Sequence, residues 1–253
     1  MNITEYLKVR PVGLKYAPSF YYLGLKVAIS YFIFHRIEFG NKEYDENLIK
    51  VKYNDILFNV RRSSFIHDIQ HYLLRQEPNI RNWFDFQRGE VFVDVGAYIG
   101  AYTLRAAKNG CVVYSFEPNP NSFKILSMNV KDNGFNNVEL FNVAVGDHEG
   151  EVYITLDLDT TKVSDRGYKV KMITLDSLKL RRVDWLKIDV EGFEKEVLMG
   201  AQSTLDVTSK IIIEVWKKNR DFVEKIMEIH GFKKVKEEET YPEIYNIMYM
   251  KSR

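Results

Sequence analysis

The sequence lacks the residues that would announce several common protein classes. Its one cysteine, Cys111, rules out an internal disulfide, and a chain built without disulfides is expected in a reducing, cytoplasmic setting. Cys111 opens an apolar run and reads as a small core residue in preference to a reactive thiol. Charge of one sign is also missing: 36 Lys and Arg stand against 35 Asp and Glu, a net +1. No global basic field therefore points to nucleic acid as a partner. Long apolar runs are absent too. The candidate, Phe20 to Phe34, is broken by Gly24 and Lys26 and falls short of the roughly 20 residues a spanning helix needs. It also lacks the small-residue cleavage site of a signal peptide. It is expected to form a helix packed on the rest of the chain or on a second subunit of a homo-oligomer. The alternative is contact with a membrane surface through residues 20–34, since the stretch is aromatic-rich and flanked by His35 and Arg36. Internal repeats and a His-Glu-x-x-His motif are not found.

What is present centres on Val91 to Leu104. Val91-Phe92-Val93 is apolar and β-branched or aromatic. Asp94 follows, then two glycines, Gly96 and Gly100, on either side of Tyr98, and then a helical pattern. That order reads as a buried parallel strand turning directly into a helix. Glycines in the turn leave room for a ligand against the backbone, and the helix start offers unpaired N–H groups. The next strand ends at Phe116-Glu117, and an acid there suits the two hydroxyls of a ribose.

A dinucleotide fits poorly. The third glycine that admits a pyrophosphate to the helix start is missing. Asp94 would repel a pyrophosphate and attract a cation. S-adenosylmethionine satisfies both acids, with a ribose for Glu117 and an ammonium and sulfonium for Asp94.

Five ordered blocks between about Phe86 and Trp216 then identify a family resemblance. They are Asp94-Val-Gly-Ala-Tyr-Ile-Gly-Ala-Tyr-Thr, Phe116-Glu117-Pro118-Asn119-Pro120, Asn142-Val-Ala-Val-Gly-Asp147, Thr174-Leu-Asp-Ser-Leu178 and Leu186-Lys-Ile-Asp-Val-Glu-Gly-Phe-Glu194. Together they resemble the FkbM family of S-adenosylmethionine-dependent methyltransferases. The resemblance implies an α/β, Rossmann-like class I methyltransferase sheet of about seven strands over residues 86–253. It also implies methyl transfer to a hydroxyl oxygen, with a sugar, glycan or small metabolite as acceptor. Residues 1–85 lie outside the strong motifs and form an N-terminal helical and hairpin extension or cap. An RNA methyltransferase and a non-catalytic donor-binding module remain the alternatives.

The rest of the chain can be assigned in order. Leu48 to Tyr53 and Ile56 to Val60 alternate about Asn54-Asp55, a β-hairpin. Gly40 to Asn47 is a polar turn. Ser63 or Ser64 caps a helix that runs to about Arg75, with Pro78 as its stop. His67 and His71 share one face of it, either as a plain polar face or as the rim of an acceptor pocket. Asn119 caps a helix that has Pro120 at its first position. Val138 to Val143 is a strand whose end, Asn142 to Ala144, is expected near the adenine. The polar stretch Asp157 to Gly167 is expected to be functional or mobile. A terminal strand pair flanks Lys236 to Thr240, read as a solvated turn.

The candidate donor-binding residues are thus Asp94, Gly96, Tyr98, Gly100, Glu117, Pro118, Asn119, Asn142 and Ala144. Asp189 and Glu191, ending the fourth strand, are the catalytic candidates, with Asp189 as general base. Capping of the following helix is their structural alternative, and Glu214 on the fifth strand is a rim candidate. Shared cation binding by the three carboxylates is a further possibility, but no histidine stands in these motifs and no metal is assigned.

Overall fold

The computed structural model describes residues 8–34, 48–73, 79–156 and 161–252, with side chains of the first segment as far as residue 25. The turn expected at Gly40 to Asn47, the stop at Pro78 and the first residues of the Asp157 to Gly167 stretch lie outside them. Strand β1 (Arg10–Pro11) precedes helix α1 (Ala17–Phe34), the hairpin β2 (Leu48–Tyr53) and β3 (Ile56–Arg61), and helix α2 (Phe65–Tyr72). β1 adds to the hairpin as a third strand. Asn54 and Asp55 both take positive φ, 46° and 60°, the conformation a two-residue hairpin turn requires and short polar side chains tolerate.

Regular βα alternation follows: β4 (Val91–Val95), α3 (Ala101–Lys108), β5 (Val112–Phe116), α4 (Pro120–Asp132) and β6 (Val138–Phe141). Asn119 caps α4 as expected, its side chain accepting from the Asn121 N–H at 3.0 Å. The chain then leaves the main sheet for β7 (Ala144–Val145), β8 (Gly150–Ile154), β9 (Val163–Ser164) and β10 (Tyr168–Ile173), a separate four-stranded sheet in the order β7-β10-β8-β9. It returns through β11 (Val183–Ile188), α5 (Glu194–Met199), α6 (Gln202–Asp206), β12 (Thr208–Trp216), α7 (Arg220–Ile229), β13 (Phe232–Tyr241) and β14 (Ile244–Lys251).

The main sheet has seven strands in the order β13-β14-β12-β11-β4-β5-β6. The five from β12 to β6 are parallel; β14 runs antiparallel to β12, and β13 antiparallel to β14. The strand order reverses between β4 and β11, which opens a crevice at their carboxyl ends. One expectation fails here. Lys236 to Thr240 is not a turn but the second half of β13, and the chain reverses after Tyr241, with Glu243 at φ 66°. β13 is the edge strand and almost wholly exposed, so it is charged along its length because an apolar edge would invite pairing with other chains.

Alternation along the central strands divides the core. Phe92, Trp185, Ile212 and Met248 face one way and pack with Ile49, Phe58, Val60 and Tyr72 of the N-terminal extension. Val93, Leu186, Ile188 and Ile213 face the other way, against Val197, Leu205 and Met227 of the helices. The extension therefore shares a core with one face of the sheet. Asn129 of α4 ties the two together. Its Oδ1 accepts from the Asn59 backbone N–H at 2.8 Å, and its Nδ2 donates to the Tyr72 hydroxyl at 2.7 Å and the Ile99 carbonyl at 2.9 Å. Replacing Asn129 by alanine removes these bonds; the Tyr72 hydroxyl keeps its bond to the Asn59 carbonyl at 2.8 Å, while the Asn59 N–H loses its acceptor. The substitution is expected to lower stability by about 2–4 kcal/mol in a urea titration, still as one cooperative transition; two separated transitions would show that the extension folds by itself.

Candidate active site

The crevice between β4 and β11 holds a cavity of about 290 Å³. Eight of the residues expected at a site line it: Asp94, Gly96, Tyr98, Glu117, Pro118, Ala144, Asp189 and Glu191. Glu214, His67 and His71 also line it, so the two histidines of α2 stand at the pocket rim rather than on a plain polar face.

Gly100, Asn119 and Asn142 stand outside the lining, each for a local reason. A Cβ on Gly100, at φ 97°, would sit 2.6 Å from Leu126 Cδ1, so this glycine serves helix packing. Asn119 caps α4, and its Nδ2 donates to the Thr161 hydroxyl at 2.9 Å. Asn142 Nδ2 donates to the carbonyls of Glu117 at 2.8 Å and Pro118 at 3.1 Å, fixing the main chain beneath Glu117. The space beside Gly96 is likewise taken by the protein itself. A Cβ there would lie 1.8 Å from the Asp189 carbonyl oxygen, while the Asp189 N–H donates to Val95 at 3.0 Å. The two strand ends touch through that glycine.

Glu117 is 4% exposed. Its two oxygens accept the N–H groups of Tyr98 and Asn119, each at 2.8 Å. Burial outweighs those bonds and pushes its carboxyl up from 4.5 to about 7. Asp94 Oδ2 accepts from the Thr103 hydroxyl at 2.6 Å, and its Oδ1 is a buried acceptor with no partner. Burial raises the pKa of Asp94, opposed by the nearby charge of Lys187. An orphan carboxylate oxygen fits an ammonium, and the lone pairs left on Glu117 fit ribose hydroxyls.

Lys187 escaped the motif-based expectations. It is 5% exposed, is the register partner of Asp94 across β4 and β11, and bonds Asp189 Oδ2 through Nζ at 2.9 Å. The Tyr102 ring centroid lies 5.1 Å from Nζ. A lysine between Leu186 and Ile188 in a buried strand was the available signal, because such positions rarely carry a charge without a partner.

Asp189, Glu191 and Glu214 bring one oxygen each to within 4.8 Å of the others, close enough to grip a polyol or share a cation, with Lys187 already supplying one positive charge. The N-cap position of α5 is Phe193, which makes no side-chain cap bond, and Glu194 accepts from the Gly192 N–H just before the helix at 2.7 Å. Glu191 and Tyr98 both hold left-handed backbone, φ 53° and 52°, a conformation costly for such residues and concentrated at functional sites. The Tyr98 ring meets His71 edge-on at 4.7 Å, and its hydroxyl accepts from buried Arg61, itself paired with Asp68. Burial, with the charges of His67 and Lys187, pushes His71 down to about 3, so its imidazole stays neutral.

Comparisons with known proteins bear on the family and the fold. A family model described as the methyltransferase FkbM domain matches residues 94–253. Hexuronic acid methyltransferase AglP of Haloferax volcanii is 29% identical over 138 residues, 51% of this chain and 57% of that protein. A tRNA (guanine(37)-N(1))-methyltransferase of Trichomonas vaginalis is 30% identical over 123 residues, 44% of this chain and 32% of that protein. The matches thus span little more than half of the first relative and about a third of the second. The crystal structure of methyltransferase FkbM from Methylobacillus flagellatus KT shares the fold, with a TM-score of 0.51 at 15% identity over 93% of this chain and 59% of that one.

The Glu117 carboxyl provides a direct check on the cavity's electrostatics. With the folded value near 7 and the ordinary value 4.5, its contribution to stability is complete below about pH 4.5 and is lost as pH rises through about 7. Carboxyl-selective carbon NMR of the ligand-free protein is expected to show one glutamate titrating near pH 7 and missing from Glu117→Gln. All glutamates titrating below pH 5.5 would contradict the burial assigned to it.

Proposed function

The chain belongs to the FkbM methyltransferase family, and from that premise we propose that it methylates a hydroxyl oxygen of a sugar, glycan or other small polyol. S-adenosylmethionine is the family's methyl donor. The observation that carries the acceptor assignment is the carboxylate cluster of Asp189, Glu191 and Glu214 in the same cavity as Asp94 and Glu117. Carboxylates accept hydrogen bonds from several hydroxyls at once, as a polyol requires. AglP, described as a hexuronic acid methyltransferase, supports a sugar.

The roles divide along the cavity. Glu117 takes the ribose hydroxyls and Asp94 the ammonium of the donor, while Gly96, Tyr98, Pro118 and Ala144 shape the space between. Gly100, Asn119 and Asn142 hold those residues in place. Bound S-adenosylmethionine supplies the electrophilic methyl; the chain supplies positioning and a place for the acceptor's proton. Asp189 is that place, and Lys187 fixes its carboxylate.

The tRNA methyltransferase relative keeps RNA as the second candidate acceptor. The balanced charge of the chain speaks for the sugar, because phosphate contacts dominate RNA affinity.

Donor binding is read by titration with S-adenosylhomocysteine: one site per chain, weakened by about 1.5–3 kcal/mol in Glu117→Ala. Ligand hydroxyls favour the ionised carboxylate, so affinity in the wild type is expected to fall up to tenfold per pH unit below about 7, and that slope should vanish in the variant. Unchanged affinity in Glu117→Ala would remove the ribose assignment.

Methyl transfer from labelled donor into glycan, metabolite and RNA fractions tests the acceptor, and label confined to RNA would overturn the sugar. With the acceptor in hand, Asp189→Asn is expected to lower turnover by about 10²–10⁴-fold with donor binding little changed. Near-wild-type turnover would leave positioning alone as the chain's contribution.

A further inference from the structure

The N-terminal extension has one face that neither the fold nor the cavity uses. Tyr16, Phe20 and Leu23 pack onto the core, and Phe20 stacks edge-on to Phe65 of α2 with ring centroids 5.5 Å apart. The opposite face carries Tyr21, Tyr22 and Leu25, which are 63%, 67% and 60% exposed, and Leu14 in the preceding turn is 92% exposed. Among the described residues only Ile229, at 63%, is another large apolar side chain as open as these. The other exposed apolar groups are less open, at 37–49%; a group as open as this on one helix and the turn before it marks a contact surface.

The charge around the patch says what it contacts. From Lys8 to Phe34 the sequence contains Lys8, Arg10, Lys15 and Lys26 and no acidic residue, in a chain that is otherwise balanced. Lys8, Arg10 and Lys15 are exposed. Arg62, also exposed, donates to Ser19 and so brings a further basic residue beside α1. Tyrosines with an apolar body and a polar tip, next to leucines and within a basic margin, suit the headgroup layer of an anionic bilayer. No described helix is long and apolar enough to cross a membrane, which leaves lying on it.

We infer that α1 and the turn before it dock the chain on an anionic phospholipid surface through Leu14, Tyr21, Tyr22 and Leu25. α1 rests on α2, and α2 lends His67 and His71 to the cavity wall. Docking therefore holds the catalytic cavity one helix away from the membrane, where a glycan carried on a lipid is presented. That last step rests on the sugar assignment above; the docking itself does not.

Flotation of the full chain with vesicles tests it. Binding is expected to vesicles of phosphatidylcholine with about one-third phosphatidylglycerol, to fall with added salt, and to be weak on phosphatidylcholine alone. Replacing Tyr21, Tyr22 and Leu25 together by serine is expected to weaken binding at least tenfold while the unfolding midpoint and S-adenosylhomocysteine affinity stay unchanged. Should that variant fold poorly, Arg10→Glu with Lys15→Glu keeps the inference open to refutation, with a loss of roughly fivefold or more expected per charge. Failure to float with either vesicle overturns the inference. So does a dimer, seen in sedimentation, that the serine variant abolishes, since the face would then belong to a second copy. Flotation without methylation of any glycan would keep the docking and remove only the acceptor class; methylation of free sugars by a chain that ignores vesicles would do the reverse.

Discussion

A lysine side chain cannot be buried in the middle of a parallel sheet without partners, because an ammonium withdrawn from water costs several kcal/mol unless carboxylates surround it. Lys187 meets that demand at the point where strand order reverses. Asp94 stands beside it in register on β4, and Asp189, two residues on along β11, bonds it directly. Removing Asp189 takes away the ammonium's direct bond and removing Asp94 a neighbouring negative charge, so the residue assigned to the donor's cation and the residue assigned to the acceptor's proton both act on one buried charge. The same two strand ends are pressed together at Gly96, which lets β11 approach closely enough for the charges to meet.

Much of this was legible because it is local. The βα alternation, the Asn54-Asp55 turn and the Asn119-Pro120 helix start each follow from neighbouring residues. The acids that end β4, β5 and β11 converge because parallel strands put their carboxyl ends on one edge. What escaped depends on contacts between distant residues. Gly96 reads as room for a ligand, yet the atom occupying that room belongs to Asp189, 93 positions along the chain. Asn142 reads as a donor ligand, yet it holds the Glu117 main chain. The second sheet is hard to read, since β7 and β9 are two residues each and too short for any periodicity. Lys236 to Thr240 misled for another reason. Dense charge suits a solvated turn and an exposed edge strand equally, and only the sheet's order decides between them.

The boundary of the family match sharpens the division of labour. It begins at Asp94 and runs to residue 253, so the strand end carrying Asp94, with Glu117 and Asp189 after it, lies within the family's own region. His67, His71 and the Arg61–Asp68 pair precede it. Residues ahead of the family match thus supply part of the wall of the same cavity that holds Asp94 and Glu117.

Tyr98 is where the two regions meet, and its strained backbone follows from that position. Its N–H must reach Glu117, its ring must lie between the two histidines and its hydroxyl must meet Arg61. A residue with φ near 52° in a tight turn satisfies all three at once, whereas a relaxed backbone would swing the ring or the N–H away. Glycine would remove the strain, but it would also remove the side chain that joins extension to donor site. The strain therefore persists because contacts from both sides over-determine it, and Glu117, assigned above to the donor's ribose, is joined through this residue to the wall formed by α2.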